Sequence, residues 1–162
     1  MLGVMFTWTT YGSWLRGDAR GWVDDGIVCP PNTVLRLADR NRMTHEPWQF
    51  AVDDLRRVGQ MIGDSLALRT DARPLALTVQ TWHVHLVTAV GNVECERIVK
   101  CAKDSVRWGL RPGRPIWTDG FDRRFCYEEA SLQARIHYVE RHNVAMGWPA
   151  KPWAFLDYSD ID

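Results

Sequence analysis

Two histidines one residue apart, His83 and His85, stand near the middle of PLALTVQTWHVHLVTAVGNV, residues 74–93, the longest run without Asp, Glu, Lys or Arg. Side chains two apart on a strand share a face. The two imidazoles therefore project side by side, while Val84 and Leu86 point to the opposite face. Held at that separation by a rigid strand, neutral imidazoles are a ready pair of metal ligands. A second pair occurs at helical spacing: Tyr138 and His142 are four apart, with His137 and Asn143 flanking them. Such a pair lies on one helix face, one turn from each other. A free phenol, with a pKa of about 10, is a weak nucleophile at neutral pH. A divalent ion helps by polarising the electrophile, a role suited to a phosphodiester. With the helix packed across the strand, three imidazoles and one phenol converge, and attack yields a covalent phosphotyrosine and a free hydroxyl. That linkage keeps the bond energy for rejoining. Taken singly, each pattern also fits ordinary packing, as half-buried histidines with satisfied hydrogen bonds and as a helix surface.

Positioning these groups requires strands and helices in a particular order. Residues 74–93 are long enough for a membrane span, but Gln80, Thr81, His83 and His85 would sit at its centre, where polar groups are costly. The same letters alternate as two buried strands joined by a short turn. Residues 3–10, GVMFTWTT, read as a first strand. From Tyr11 to Glu46, glycines at 12, 17, 21 and 26 and prolines at 30 and 31 indicate a long loop with at most one short helix. Its Tyr11, Trp14, Arg16, Arg20 and Trp22 mix aromatic and cationic groups as a single-stranded nucleic-acid groove does. A flap over a sheet edge is the equal alternative. Residues 47–68 form a helix opened by Pro47, with Phe50, Leu55, Val58, Ile62 and Leu66 on its apolar face. Residues 94–110 form a second helix, whose Lys100, Lys103 and Arg107 fall on one face as a solvated stripe or a phosphate track. After a turn at 111–114 comes a fourth strand over 115–125. A helix over 128–146 follows, stopped by Gly147, Trp148 and Pro149, and an aromatic then acidic tail over 148–162 closes the chain. The order β, loop, α, β, β, α, β, α is that of an α+β, ferredoxin-like (split βαβ, RRM-like) antiparallel sheet with an added C-terminal helix that carries the tyrosine.

At 162 residues the chain fits one domain, and 46% hydrophobic with 25% charged residues excludes a disordered protein. Twenty basic residues balance twenty acidic ones, so total charge gives no support for nucleic-acid binding. The distribution is uneven. Acids gather at Asp53, Asp54, Asp157, Asp160 and Asp162, while bases dominate from Arg97 to Arg124, and a basic face can exist on a neutral protein. The nine tryptophans are core residues or stacking platforms. Cys29, Cys95, Cys101 and Cys126 show no zinc-ribbon or CxxC spacing, which implies reduced thiols. The opening MLGVMFTWTT lacks the pattern of a secretory signal, so a cytoplasmic, nucleoid-associated location is expected, without membrane attachment.

Four segments resemble one family: FTWTTYGSWLRGDARGWV (6–23), HVHLV (83–87), PIWTDGFDRRF (115–125) and YVERHNVAMG (138–147). Together they are similar to the HUH-type, single-tyrosine transposases, particularly the REP-associated tyrosine transposases. The resemblance implies that His83 and His85 bind magnesium or manganese and that Tyr138 attacks single-stranded DNA next to a hairpin. His142 stands where relatives place an amide third ligand. Because imidazole suits transition metals better than it suits magnesium, which prefers oxygen, manganese gains, and zinc follows behind it. Asn143 is expected to orient the site. Tyr11, Trp14 and Arg16, with Lys100, Lys103, Arg107, Arg123 and Arg124, are expected to contact DNA. For Arg123 and Arg124, ion pairs with Glu128 and Glu129 are the competing reading. Thr81 and Trp82 replace the Pro-Asn common before the motif, and Val144 replaces a proline. These departures leave room for a catalytically silent, domesticated hairpin binder. A tri-histidine metal hydrolase acting on a small substrate is a third reading. The protein is expected to be a monomer, or a homodimer that exchanges the tyrosine helix.

Overall fold

Alternating threonine and large apolar residues place Gly3–Thr9 (β1) inside a sheet with one apolar and one mixed face. The computed structural model describes residues 1–24, 27–89, 91 and 94–157. Its other elements are Trp22–Asp24 (β2), Ile27–Cys29 (β3), Thr33–Arg42 (α1), Leu55–Arg69 (α2), Arg73–Val79 (β4), His83–Ala89 (β5), Cys95–Leu110 (α3), Asp122–Cys126 (β6) and Glu129–Ala145 (α4). The main sheet runs β4-β5-β1-β6, and all its pairings are antiparallel. Phe6, Trp8, Leu77, Val79, Val84 and Leu86 form one core with Val58, Ile62 and Leu66 of α2 and Ile98, Ala102 and Val106 of α3. Met5, Ala76 and Val87 on the other face pack against Leu132 and Val139 of α4. This is the α+β, ferredoxin-like arrangement, with α4 added on the face that the other two long helices leave open. Among the described residues no helix is long and apolar enough to cross a membrane. Residues 74–89 of the charge-free run fold instead as the β4–β5 hairpin, closed by the Gln80 N–H donating to the His83 carbonyl at 2.8 Å.

Four segments depart from the periodicity reading. Residues 11–46 hold the short helix expected there, the ten-residue α1, and also an antiparallel β2–β3 pair that departs from the loop reading. No residue of α1 is buried, although Val34, Leu35, Leu37 and Ala38 give it an apolar side; the Asn32 side chain caps it by accepting from the Leu35 N–H at 3.0 Å. The helix read from Pro47 begins later, with a 3-10 turn at Val52–Asp54 and then α2. Residues before it are extended because Trp48 N–H donates to the Tyr11 carbonyl and Phe50 N–H to the Thr81 carbonyl, both at 2.8 Å. The fourth strand spans Asp122–Cys126 only, Trp117 making a lone bridge to Thr10.

The segment after α4 is the fourth departure, because Trp153 and Leu156 are core; the acidic end over 158–162 lies outside the described residues. Trp153 is 4% exposed and its indole N–H donates to the Arg56 carbonyl at 2.9 Å. Gly59 and Gly63 open a notch in α2, where a Cβ would overlap the rings of Trp153 and Phe155. Alanine is intrinsically better than glycine in a helix by about 1 kcal/mol, but a fixed indole cannot retreat. Gly59→Ala is therefore expected to destabilise the protein by about 2 kcal/mol, the usual cost of overpacking, read as a lowered urea midpoint. A variant more stable than wild type would show that the notch does not seat Trp153.

Candidate active site

Cross-strand register builds one polar patch on the α4 side of the sheet: Thr7 lies opposite His85 and Thr9 opposite His83. The Thr7 hydroxyl and His85 Nδ1 share a hydrogen bond of 2.8 Å, which orients the ring and leaves Nε2 for a ligand. The histidine ring centroids are 4.6 Å apart. His83 is 8% and His85 7% exposed, and the buried Nδ1 of His83 has no hydrogen-bond partner. An orphaned buried nitrogen is costly unless something fills its lone pair or takes its proton.

Helix α4 brings the second pair over the first. The Tyr138 ring lies 5.4 Å from His85 and 4.8 Å from His142, and His142 lies 5.4 Å from His85 and 6.1 Å from His83. Tyr138 is 38% exposed, so its phenol remains open to a reactant. Asn143 points elsewhere: its amide donates to the carbonyls of Leu77 at 2.9 Å and Ala150 at 2.8 Å. It orients the site only by fastening α4 to β4. His137, the other flanking residue, faces outward and pairs with Glu140 at 3.3 Å.

Burial, then the neighbouring His142, holds His83 down to about 4. Burial, then His83, holds His85 down to about 3, and burial ahead of Arg141 lowers His142. All three rings are thus neutral near pH 7, the state in which imidazole ligates a metal. An ion at about 2.1 Å from each nitrogen puts ring centroids roughly 5 Å apart, and the observed spacings bracket that value. Among the described residues, however, no three His, Cys, Asp or Glu side chains are already closed on one point. Ring spacing and the neutral state are compatible with nitrogen ligation, but the three rings are not arranged as a metal-holding group.

The same values set an acid limit. Both histidines have folded pKa values below the ordinary 6.5, so the unfolded chain binds more protons as pH falls below 6.5. Their contribution is complete above that pH and is lost on the way down to about 3. Near pH 5 the difference approaches about two protons per molecule. Chelator-treated protein is therefore expected to lose thermal stability steeply from pH 6.5 to 4, and His83→Gln/His85→Gln to flatten the decline. An unchanged slope in that variant would assign acid sensitivity to other groups.

A groove of about 1030 Å³ runs over these residues, with Thr7, Trp14, Arg16, Trp82, Arg124 and Arg135 among its walls. Arg16 is held by Asp39 at 2.8 Å through Nε, and Arg124 by Asp122 at 3.1 Å. Tyr11 is outside it: its hydroxyl accepts from the Thr44 N–H at 3.0 Å and its ring stands edge-on to His45. Lys100, Lys103 and Arg107 line a separate cavity of about 630 Å³, which shares the 118–121 wall with the groove. Lys100 and Arg107 both pair with Asp104 at 2.7 Å. Lys103 donates to the carbonyls of Thr118 at 2.8 Å and Gly120 at 2.6 Å, and burial pushes it down to about 8. Arg123 pairs with Glu96 at 2.7 Å, not with Glu128 or Glu129. Thr7, Trp82 and Arg135 were not singled out from the sequence as site residues. Thr7 was open to inference, since the alternation that buries Phe6 and Trp8 turns Thr7 and Thr9 to the histidine face. Arg135 lies three before Tyr138 on α4, with a buried Nε that has no hydrogen-bond partner.

No protein-family model matches the chain, and no curated protein sequence matches it. Among solved structures, it is similar to a REP-associated tyrosine transposase bound to a REP hairpin, with a TM-score of 0.54 at 13% identity over 95% of this chain and 74% of that one. A candidate transposase from Deinococcus radiodurans R1 aligns with a TM-score of 0.45 at 15% identity over 86% of this chain and 89% of that one. The first likeness establishes a shared fold: a ferredoxin-like sheet across which this chain lays its tyrosine-bearing helix. Function has to be argued from the site.

Proposed function

We propose that this protein is a metal-dependent DNA strand transferase that nicks and rejoins single-stranded DNA through Tyr138, at sites beside a hairpin. One observation carries the reading: a half-exposed phenol stands edge-on to the strand-held His85, itself beside His83, and to His142 of its own helix, within a groove walled by tryptophan and arginine. Similarity to a fold that holds a REP hairpin supports DNA as the partner. In the proposed step the Tyr138 oxygen forms a bond to phosphorus and the bond from phosphorus to the 3′ oxygen breaks. The phosphate stays on the tyrosine as a 5′-phosphotyrosine, and the phenolic proton ends on the departing 3′ hydroxyl by way of water. Rejoining is the reverse. His83, His85 and His142 would hold a divalent ion, manganese ahead of magnesium and zinc, and that ion supplies polarisation of a non-bridging phosphate oxygen. Thr7 keeps His85 in the ligating orientation, and Arg135, whose Nε has no hydrogen-bond partner, offsets charge that develops on the phosphate.

The test is an adduct assay. Protein is incubated with manganese and a pool of hairpin oligonucleotides bearing randomised single-stranded flanks, then denatured and examined for covalently bound DNA. Hairpin binding without an adduct under any metal would overturn the enzyme and leave a non-catalytic binder, the reading that the open, unclosed imidazole set favours.

A further inference from the structure

Of the nine tryptophans, Trp108 lies exposed on α3 beneath the Arg69 guanidinium, and the other eight divide between core and groove. Trp8 and Trp153 are buried, and Trp48, Trp117 and Trp148 pack against the same core. Trp14, Trp22 and Trp82 do not join it; each is partly exposed, and all three line the groove that contains the imidazoles. The Trp14 and Trp82 rings stand 5.4 Å apart, and Trp82 stands 4.1 Å from His83. The Arg20 guanidinium lies over both indoles, 4.6 Å from Trp14 and 4.8 Å from Trp82.

These groups are fixed before any ligand arrives. The Trp14 indole N–H donates to the Gly21 carbonyl at 2.8 Å and that of Trp22 to the Pro30 carbonyl at 2.9 Å. Arg20 donates to Asp18 through Nε at 2.7 Å and to the Ser13 carbonyl at 3.0 Å. A preorganised set of rings loses little entropy on binding, and the apolar surface it leaves wet favours a flat partner. Charge gives the second half of the argument. Arg16, Arg20 and Arg124 are each matched by a carboxylate, Asp39, Asp18 and Asp122. Attraction for phosphates is thereby largely offset, so a strand held here has to be held by the faces of its bases.

We propose that Trp14, Trp22 and Trp82, with Arg20 stacked on two of them, form a subsite for unpaired nucleobases of single-stranded DNA. Its Trp82 end abuts His83, which puts a stacked base next to the phosphate offered to Tyr138. That last placement rests on the proposed function; base stacking itself does not.

The experiment reads binding without chemistry. Tyr138→Phe protein in chelator is titrated with labelled oligothymidine of about fifteen nucleotides, near the upper site size for such grooves, and with an abasic strand of equal length. The abasic strand is expected to bind about 100-fold more weakly, as for the loss of two stacked bases. Trp82→Leu should lower oligothymidine affinity roughly tenfold and leave abasic binding alone, while Trp82→Phe restores most of the difference. Equal affinity for the two strands overturns the proposal, as does a leucine variant that weakens both alike. The comparison of strands needs no tryptophan substitution, so misfolding of a variant does not block it. A missing adduct with intact base dependence would sink the transferase and spare the subsite. An intact adduct with no base dependence would do the reverse.

Discussion

Tyr138→Phe is expected to eliminate the covalent protein–DNA adduct while hairpin binding survives. The substitution removes one oxygen and keeps the ring that packs edge-on against His85 and His142. The phenol is half exposed and no hydrogen bond anchors it among the described residues, so little stability is at stake. Loss of the attacking atom should lower single-turnover cleavage by about 10⁴-fold or more, equivalent to roughly 5 kcal/mol of transition-state free energy. Tyr127, 69% exposed at the end of β6, is the control. An adduct that persists in Tyr138→Phe and disappears in Tyr127→Phe would move the nucleophile to the wrong side of the proposed site.

The second large effect concerns the imidazole pair. His83→Ala and His85→Ala should each reduce metal-stimulated cleavage by about 10³-fold, roughly 4 kcal/mol. The double variant should be little worse than either, because two ligands of one ion act as a unit. Replacing His142 by Gln exchanges a nitrogen donor for an oxygen and should bring magnesium closer to manganese in supporting cleavage. Cleavage rates measured against metal concentration give all four comparisons. Additive losses in the double variant, or cleavage in chelator, would rule out a shared ion.

Much of the frame was legible in the chain because it rests on period and punctuation. The one-residue spacing of His83 and His85 within β5 put both on the face opposite Val84 and Leu86, and Gly147 ends α4 with a positive φ of 79°. What escaped has a common cause. The β2–β3 pair stands apart from the main sheet, the strand before β6 is a lone bridge, and Trp153 and Phe155 join the core through a notch made in α2 almost a hundred positions earlier. Periodicity reports a residue's own helix or strand; it is blind to contacts set by the fold as a whole. For the same reason the charges on α3 read as one stripe, although Lys103 is turned inward onto two carbonyls and Lys100 and Arg107 share a single aspartate. The tryptophans were ambiguous by type and became distinct only by location.

One fastening bears on how a strand would be handled once joined. The last turn of α4 is tied by Asn143 to β4 and to the following segment, whose indole at position 153 is seated in the interior. On the proposed reading, a DNA end joined to Tyr138 would be moored to a helix whose last turn is fastened at two points. The severed partner would then have to travel to that helix, so on this reading the length and slack of the bound DNA would set the pace of resealing. Trading this helix with a neighbouring molecule would first require pulling that indole out of its berth.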